Sequence, residues 1–188
     1  VERASLASLE ERDELFVARE SVYHRLVRLL ADRGRQAEAV YLLDRWRSEP
    51  FPAISPAPFS AANVLSGLPV VARVFLSLDD ELLTWQLAGG EVLLERRRIA
   101  RRELQTLVQS SRREVRSGTI GAASRRLSSL LLEGFDTPPG TALLLVPDAI
   151  LFSTPFAALP DPSTGRPLGM EKVVELSPSL RVWSERVS

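Results

Sequence analysis

Apolar residues in the first quarter of the chain recur at steps of three and four positions, the pattern of an amphipathic helix. They are Leu6, Leu9, Leu15, Phe16, Val22, Tyr23, Leu26, Val27 and Leu30. Gly34 interrupts the pattern, and residues 36–47 resume it with Ala39, Val40, Leu43 and Trp46. Because glycine readily adopts the left-handed conformation that closes a helix, residues 5–48 are predicted to form an antiparallel helical hairpin.

A proline-rich segment follows the predicted hairpin, and a segment in which apolar and polar residues alternate comes after it. Prolines recur from Glu49 to Pro69 and forbid a continuous helix, so residues 53–69 are predicted to be an ordered linker. Residues 70–78, 82–87 and 91–96 then form three short apolar segments separated by tight-turn sequences, which predicts an antiparallel meander. Alternation places the apolar residues Val74, Leu76 and Leu78 on one face of the meander. The opposite face carries polar residues, so we expect other elements to cover the meander on one side only. Those polar residues are Arg73, Ser77, Thr84 and Gln86.

The longest apolar segment of the chain is ALLLVPDAILFSTPFAALPD, residues 142–161. Its first five residues, Ala142–Val146, form an uninterrupted apolar run that ends at Pro147-Asp148. Such a run is typical of a strand that is buried on both faces. Periodicity alone does not separate such a strand from a short buried helix, but Pro139-Gly140 before it and Pro147-Asp148 after it leave too few residues for a helix. We interpret Ala142–Val146 as a core strand. Asp148 then lies at its carboxyl end, where α/β folds place ligands.

Ten arginines and two glutamates between residues 96 and 126 make this the most basic segment of the chain. Apolar residues run through the same segment at helical spacing, so most of the arginines are expected on the solvated face of an ordinary amphipathic helix. A partner-binding surface is assigned to Arg101, Arg102, Arg112 and Arg113. Nucleic-acid binding stays open as the less favoured alternative, because no aromatic residues alternate with the arginines.

Composition excludes several kinds of chemistry. The 188 residues contain no cysteine and one histidine, so disulfides, zinc–thiolate sites and a cysteine nucleophile are excluded within this chain. His24 has no ligand partner at a suitable spacing and is predicted to be solvated, and no cofactor is predicted. Basic and acidic side chains are equal in number, at 24 each, and no apolar run reaches membrane length, so a cytoplasmic protein without membrane contact is expected.

The predicted hairpin and the segment from Ala142 onward each resemble a known family. The hairpin positions Tyr23, Leu26, Val27, Leu30, Gly34, Ala39, Leu43, Trp46 and Pro52 resemble one tetratricopeptide repeat. An unrelated helical hairpin remains the alternative. The segment from Ala142 onward resembles the opening of a CHAT domain, the caspase-like module often found after such repeats in bacteria. The resemblance rests on Val146-Pro147-Asp148, on Pro155-Phe156-Ala157-Ala158-Leu159, on Gly165-Arg166 before Leu168 and on Pro178-Ser179-Leu180.

The resemblance implies a mixed α and β fold: a tetratricopeptide-like hairpin, an antiparallel meander, helices and the start of a caspase-like α/β sheet. We divide the chain into a repeat-like hairpin (1–52), a linker (53–69) and the N-terminal portion of a CHAT domain (70–188). Pro147, Asp148, Pro155, Phe156, Pro178 and Ser179 are interpreted as structural motif positions. Ser177-Pro178-Ser179 is read as the start of a helix over Leu180–Val187, with a hydroxyl cap and proline in the first turn.

The same resemblance limits what function can be expected. CHAT proteases use a His-Cys dyad on later strands, and family members often carry glycine where this chain has Ala149, so a small backbone strain is expected there. Without the dyad, proteolysis cannot be assigned to these 188 residues alone. We expect a regulatory or scaffold portion of such a protease, with a non-enzymatic interaction module as the alternative. The expected partners are a protein bound by the repeat region and a second chain or an oligomer that completes the sheet beside an incompletely covered Ala142–Val146 strand.

Overall fold

The computed structural model describes residues 19–51, 65, 68–134, 137–138 and 140–187. Within these ranges residues 19–32 form helix α1, and Gln36–Ser48 form α2. Gly34 closes α1 with a φ of +73°, as the sequence predicts. Tyr23 stacks on Trp46 with ring centroids 4.7 Å apart, so the two helices form an antiparallel hairpin. Residues 5–18 of the predicted helix, Pro52 and the linker up to residue 64 lie outside the described residues.

The remaining elements alternate between strands and helices. The strands are β1 (Val70–Ser77), β2 (Glu81–Ala88), β3 (Glu91–Arg98), β4 (Ala142–Val146) and β5 (Val174–Leu176). The helices are α3 (Arg101–Arg116), α4 (Ala122–Leu132), α5 (Leu168–Glu171) and α6 (Leu180–Val187). Short 3₁₀ turns form at Leu151–Ser153 and Phe156–Ala158. The mixed α and β fold expected from the sequence is therefore confirmed.

The five strands form one mixed sheet in the order β3-β2-β1-β4-β5. The meander β1–β3 is antiparallel, and β4 is parallel to both β1 and β5. The predicted meander and the predicted core strand thus belong to the same sheet. Residues 143–146 of β4 are buried, and neighbouring strands pair with both of its edges. The expectation that this strand is incompletely covered is wrong; β5 is the edge strand, and its Leu176 is 47% exposed.

Helices cover both faces of the sheet. The hairpin and α6 pack on the face that carries Val74, Leu76 and Trp85. Helices α3 and α4 pack on the face that carries Val71, Phe75 and Leu82. The expectation that the meander is covered on one side only is therefore wrong for β1 and β2, which are buried along almost their whole length. Only β3 has the alternating exposure of a half-covered strand.

Burial of the second face places polar side chains in the interior. Arg73, Ser77, Thr84 and Gln86, expected in solvent, are all buried. Arg73 is 2% exposed and donates a hydrogen bond of 3.1 Å to the carbonyl of Leu131. That carbonyl belongs to the last turn of α4, where the helix dipole favours a cation. Burial lowers the pKa of Arg73 to about 10.

The hairpin is joined to the sheet by polar contacts as well as by its core. The indole N–H of Trp85 donates a 2.9 Å hydrogen bond to Gln36. Arg28 forms an ion pair with Glu81 at 3.0 Å, across the start of β2. The position of the hairpin over the sheet is therefore set by specific contacts. Among the described residues, no helix is long and apolar enough to cross a membrane.

Candidate functional site

The cleft at the carboxyl ends of β1 and β4 is the main candidate site. These two strands are parallel neighbours, so their ends meet at one edge of the sheet, where α/β folds place ligands. Hairpin residues and this sheet edge together line a cleft of about 690 Å³, which we name the carboxyl-end cleft. Its charged and aromatic lining residues come from the hairpin, α3 and the β4–β5 connection: Arg19, Glu20, His24, Trp46, Arg47, Glu49, Arg101, Asp148 and Phe152.

Asp148 shapes the floor of the carboxyl-end cleft. Its carboxylate accepts hydrogen bonds from the backbone N–H of Ser77 at 2.5 Å and from that of Leu151 at 3.2 Å. The first bond fixes the end of β1, and the second begins the 3₁₀ turn at Leu151–Ser153. Both carboxylate oxygens are therefore used in holding the backbone. Asp148 therefore fixes the backbone at the carboxyl ends of β1 and β4.

Arg47 links the hairpin to the ends of both parallel strands. Its guanidinium donates hydrogen bonds to the carbonyl oxygens of Phe75 in β1 and Val146 in β4, the latter at 3.3 Å. Burial lowers the pKa of Arg47, and the neighbouring carboxylates of Asp148 and Asp44 act in the opposite direction. One side chain of α2 thus satisfies a carbonyl near the end of β1 and another at the end of β4.

His24 lies in the wall of the cleft, and the prediction that it is solvated is wrong. Its side chain is only 18% exposed, with Nε2 3.7 Å from the carboxylate of Glu20. Burial lowers the pKa of His24, although the charge of Glu20 raises it. The imidazole is therefore held in its neutral form near neutral pH. In the described part of the chain, no three acidic or imidazole side chains are grouped so that they could hold a metal ion.

The four arginines assigned to partner binding all belong to α3 and differ in exposure. Arg101 is half-buried and lines the carboxyl-end cleft. Arg102 and Arg113 are exposed, and Arg113 donates to the hydroxyl of Ser110. Arg112 is half-buried on the same helix. Other arginines of the basic segment are engaged elsewhere, since Arg96 pairs with Asp32 and Glu81, Arg97 with Glu95 and Arg126 with Glu103.

The remaining motif positions are divided between the cleft and the core. Pro147 and Pro178 line the cleft, together with Asp148. Phe156 is 2% exposed and stacks on Phe75 with centroids 6.0 Å apart, and Pro155 directly precedes its 3₁₀ turn. Ser179 is buried, and its hydroxyl accepts a 3.0 Å hydrogen bond from the N–H of Val182.

Two details of these motifs differ from expectation. The hydroxyl cap of α6 is confirmed at Ser179, but Pro178 lies before the cap and not within the first turn. Among the described residues no residue other than glycine has a positive φ, so Ala149 bears no strain of that kind. The chain turns after Asp148 in a conformation that alanine accepts.

Comparison with known families bears on the C-terminal part of the chain. The family model of the CHAT domain matches residues 119–188, which include α4, β4, the Pro147-Asp148 motif, β5 and α6. This match supports a relation to caspase-like, protease-related proteins. No curated protein matches the chain.

Sequence reasoning did not assign Trp46, Arg47 and His24 to a site. All three belong to the hairpin, and the contact from Arg47 to Val146 spans 99 positions of the chain. Their helical periodicity predicts which face is apolar but not where the hairpin docks. The signal that could have found the site is the carboxyl end of β4 itself, since a ligand position is expected there in α/β folds.

Proposed function

We propose that this chain is the regulatory or scaffold portion of a CHAT-type, caspase-like cysteine endopeptidase. The observation that carries the proposal is the match of residues 119–188 to the CHAT domain. The matched region contributes Pro147, Asp148 and Pro178 to the carboxyl-end cleft. A thiol nucleophile would have to come from outside these 188 residues, because they contain no cysteine.

The geometry of the hairpin supports a regulatory role for residues 19–50. Arg47 and Asp44 lie one turn apart on α2 and contact the ends of β1, β4 and α6. A shift of the hairpin would therefore disturb the carbonyls at the same sheet edge where the cleft opens. The tetratricopeptide-like character of the hairpin, and its role in receiving a protein partner, form part of this proposal.

The proposal is tested with the longest natural reading frame that contains these 188 residues. We expect it to cleave a denatured protein substrate in a reaction that iodoacetamide abolishes, while the 188-residue chain alone is inactive. Cysteine-to-alanine variants of the long form should identify the nucleophile by loss of cleavage. A long form without a histidine and cysteine pair, or with cleavage that persists after alkylation, would refute the protease assignment.

A non-enzymatic protein-binding module is the second candidate. It is favoured by an apolar stripe on α1, where Val22, Leu26 and Leu29 are 62%, 43% and 44% exposed at helical spacing. A version of this candidate that uses the basic face predicts that changing Arg101, Arg102, Arg112 and Arg113 together to glutamate releases the partner in a pull-down. Undiminished retention of the partner would remove that version.

Nucleic-acid binding through the same arginines predicts an affinity for nucleic acid that falls steeply as the salt concentration rises.

A further inference from the structure

Helices α3 and α4 carry a large excess of positive charge. Residues 101–132, which comprise the two helices and their connection, contain seven arginines and two glutamates, so their net charge is plus five, whereas the whole chain is neutral. Both glutamates are already engaged, because Glu103 pairs with Arg126 at 2.7 Å and Glu114 accepts hydrogen bonds from the first N–H groups of α4. Their charges are included in the sum, so the excess is not compensated within the two helices.

Three of these arginines form a stripe along the outer side of α3. Arg102, Arg113 and Arg116 are all exposed. At about 100° per residue they lie within about 60° of each other around the helix axis, and they span about 21 Å along it. The exposed side chains of Gln105 and Gln109 lie on the same side of the helix. We name the three residues Arg102, Arg113 and Arg116 the arginine stripe.

The surface around the arginine stripe offers little apolar contact area. Every leucine and valine of α3 and α4 is buried or half-buried. A protein interface has an apolar core, and a helix that lies in a membrane surface inserts an apolar face. Neither kind of contact is available here, so a partner of this surface is held by charges and hydrogen bonds.

We infer that the arginine stripe binds the phosphate backbone of a double-stranded nucleic acid without reading its sequence. Arginine and glutamine side chains are ordinary phosphate contacts, and the release of condensed counterions supplies the binding free energy. A duplex holds its charges in a rigid array. An acidic peptide segment would lose conformational freedom on binding and bury no apolar surface in return. A single strand is bound through aromatic side chains that stack on its bases, and the stripe has none.

This inference goes beyond the proposed protease function, because it needs no catalytic group and concerns a surface outside the carboxyl-end cleft. Of the four arginines considered above, it retains the exposed Arg102 and Arg113. It replaces Arg101 and Arg112, which are half-buried, by Arg116.

The test measures fluorescence anisotropy of a labelled DNA duplex of about 20 base pairs and mixed sequence, with the 188-residue chain as titrant. Three to four phosphate contacts predict saturable binding whose affinity falls by about 40-fold to 150-fold between 50 and 200 mM NaCl. Changing Arg102, Arg113 and Arg116 together to glutamine should reduce the slope of log K against log salt by about three. Because these side chains are exposed, the variant should fold as the wild type does.

A second triple variant removes the same charge from the other layer. Arg33, Arg45 and Arg186 are exposed on the hairpin and on α6, which cover the opposite face of the sheet. Changing these three to glutamine should alter the slope by less than about one.

Competing probes complete the test. A duplex of RNA with the same sequence identifies the source of the backbone, and binding of either duplex supports the inference. Equal losses in the two triple variants would overturn it, because a general charge effect would then explain binding. So would affinity that does not depend on salt, tighter binding of the single strand or of a ten-residue glutamate peptide, or no binding at about 0.1 mM protein in 50 mM NaCl.

Discussion

Asp44 in α2 accepts a hydrogen bond of 2.5 Å from the backbone N–H of Leu180, the first residue of α6. The carboxylate is 1% exposed, and the two residues are 136 positions apart in the chain. An acceptor from the hairpin thereby satisfies a donor at the start of the last helix, where a negative charge is favoured. The bond connects the proposed repeat-like hairpin to the region that matches the CHAT domain.

Burial of Asp44 makes stability depend on pH in an unusual direction for an aspartate. Burial raises the pKa of Asp44 to about 6 from its usual 3.8, although the Leu180 hydrogen bond opposes this shift. Between about pH 4 and pH 6 the folded state then binds more protons than the unfolded chain, so the contribution of this group falls as pH rises through that window. It is lowest above the folded pKa.

Asp44→Asn keeps the hydrogen-bond acceptor and removes the titration. The free energy of unfolding of the variant, relative to wild type, should therefore rise by up to about 3 kcal/mol between pH 4 and pH 7. Urea denaturation at half-unit pH steps measures it. Glu185→Gln, an exposed change on α6, serves as control and should show no such trend. A constant difference between Asp44→Asn and wild type across the range would contradict the assignment.

A methyl group at residue 121 should displace the carboxylate that caps α4. Gly121 is the N-cap residue of α4, and the carboxylate of Glu114 takes the place of a capping side chain. This carboxylate accepts hydrogen bonds from the N–H groups of Ala123 at 3.1 Å and Ser124 at 2.8 Å. A Cβ atom at residue 121 would overlap that carboxylate. Gly121→Ala should cost about 1–2 kcal/mol of unfolding free energy, the usual range for loss of a cap.

A double-mutant cycle distinguishes this cause from a change in backbone freedom. In a Glu114→Ala background the same glycine substitution should cost little, because the overlapping carboxylate is gone. Additive losses in the cycle would show that the two residues do not interact.

The outer edge of β5 should pair with another strand. Ser177 donates to the carbonyl of Leu145 and Val173 accepts from Leu143, so alternation directs the backbone groups of Val174 and Leu176 away from β4. Leu176→Pro removes an outward N–H and should leave the fold intact while abolishing self-association or partner strand addition. Sedimentation velocity over a concentration series measures this effect.

Glu175→Pro provides the contrasting substitution on the same strand, because its N–H faces β4. It should destabilise the chain by about 1–3 kcal/mol relative to Glu175→Ala, which accounts for the lost bond to Trp183. Unchanged association in Leu176→Pro would exclude β5 as the assembly edge.

Phe156 should be a major source of stability in the matched region. It is 2% exposed and stacks on Phe75, so Phe156→Ala should cost about 3–5 kcal/mol. Phe152→Ala, four residues earlier and 51% exposed, should cost less than about 1 kcal/mol. Thermal unfolding of the two variants compares them directly. Similar losses at both positions would contradict the packing described for the 3₁₀ turns.

Local sequence patterns predicted the helices and strands of this fold well, but they predicted less well how each element is packed against its neighbours. The apolar run of β4, the alternation of β1 and the glycine that closes α1 are each readable within a few residues, because strand burial, pleating and backbone conformation are local properties. The burial of Arg73 is not readable in this way. It depends on α3 and α4 covering the face that carries it, and on the Leu131 carbonyl reaching its guanidinium.

The candidate site shows the same division. Asp148 could be placed at the carboxyl end of a strand from the sequence alone, since strand direction follows from chain order. His24 and Arg47 could not, because an amphipathic helix specifies an apolar face but not its docking position on a sheet. The charge of Arg101 is readable from the sequence, but its place in the cleft lining follows from how α3 packs against the sheet edge.

The place of β4 in the sheet has a kinetic consequence. Ala72 faces Leu87 within the local meander on one side, and Leu144, which follows two intervening helices, on the other. Loop closure favours near contacts first, so in refolding the meander should gain amide protection early and β4 late. Until β4 inserts, the side of β1 that will receive it is an unpaired apolar edge, and chains that meet at this stage can aggregate. Refolding yield should therefore fall as protein concentration rises.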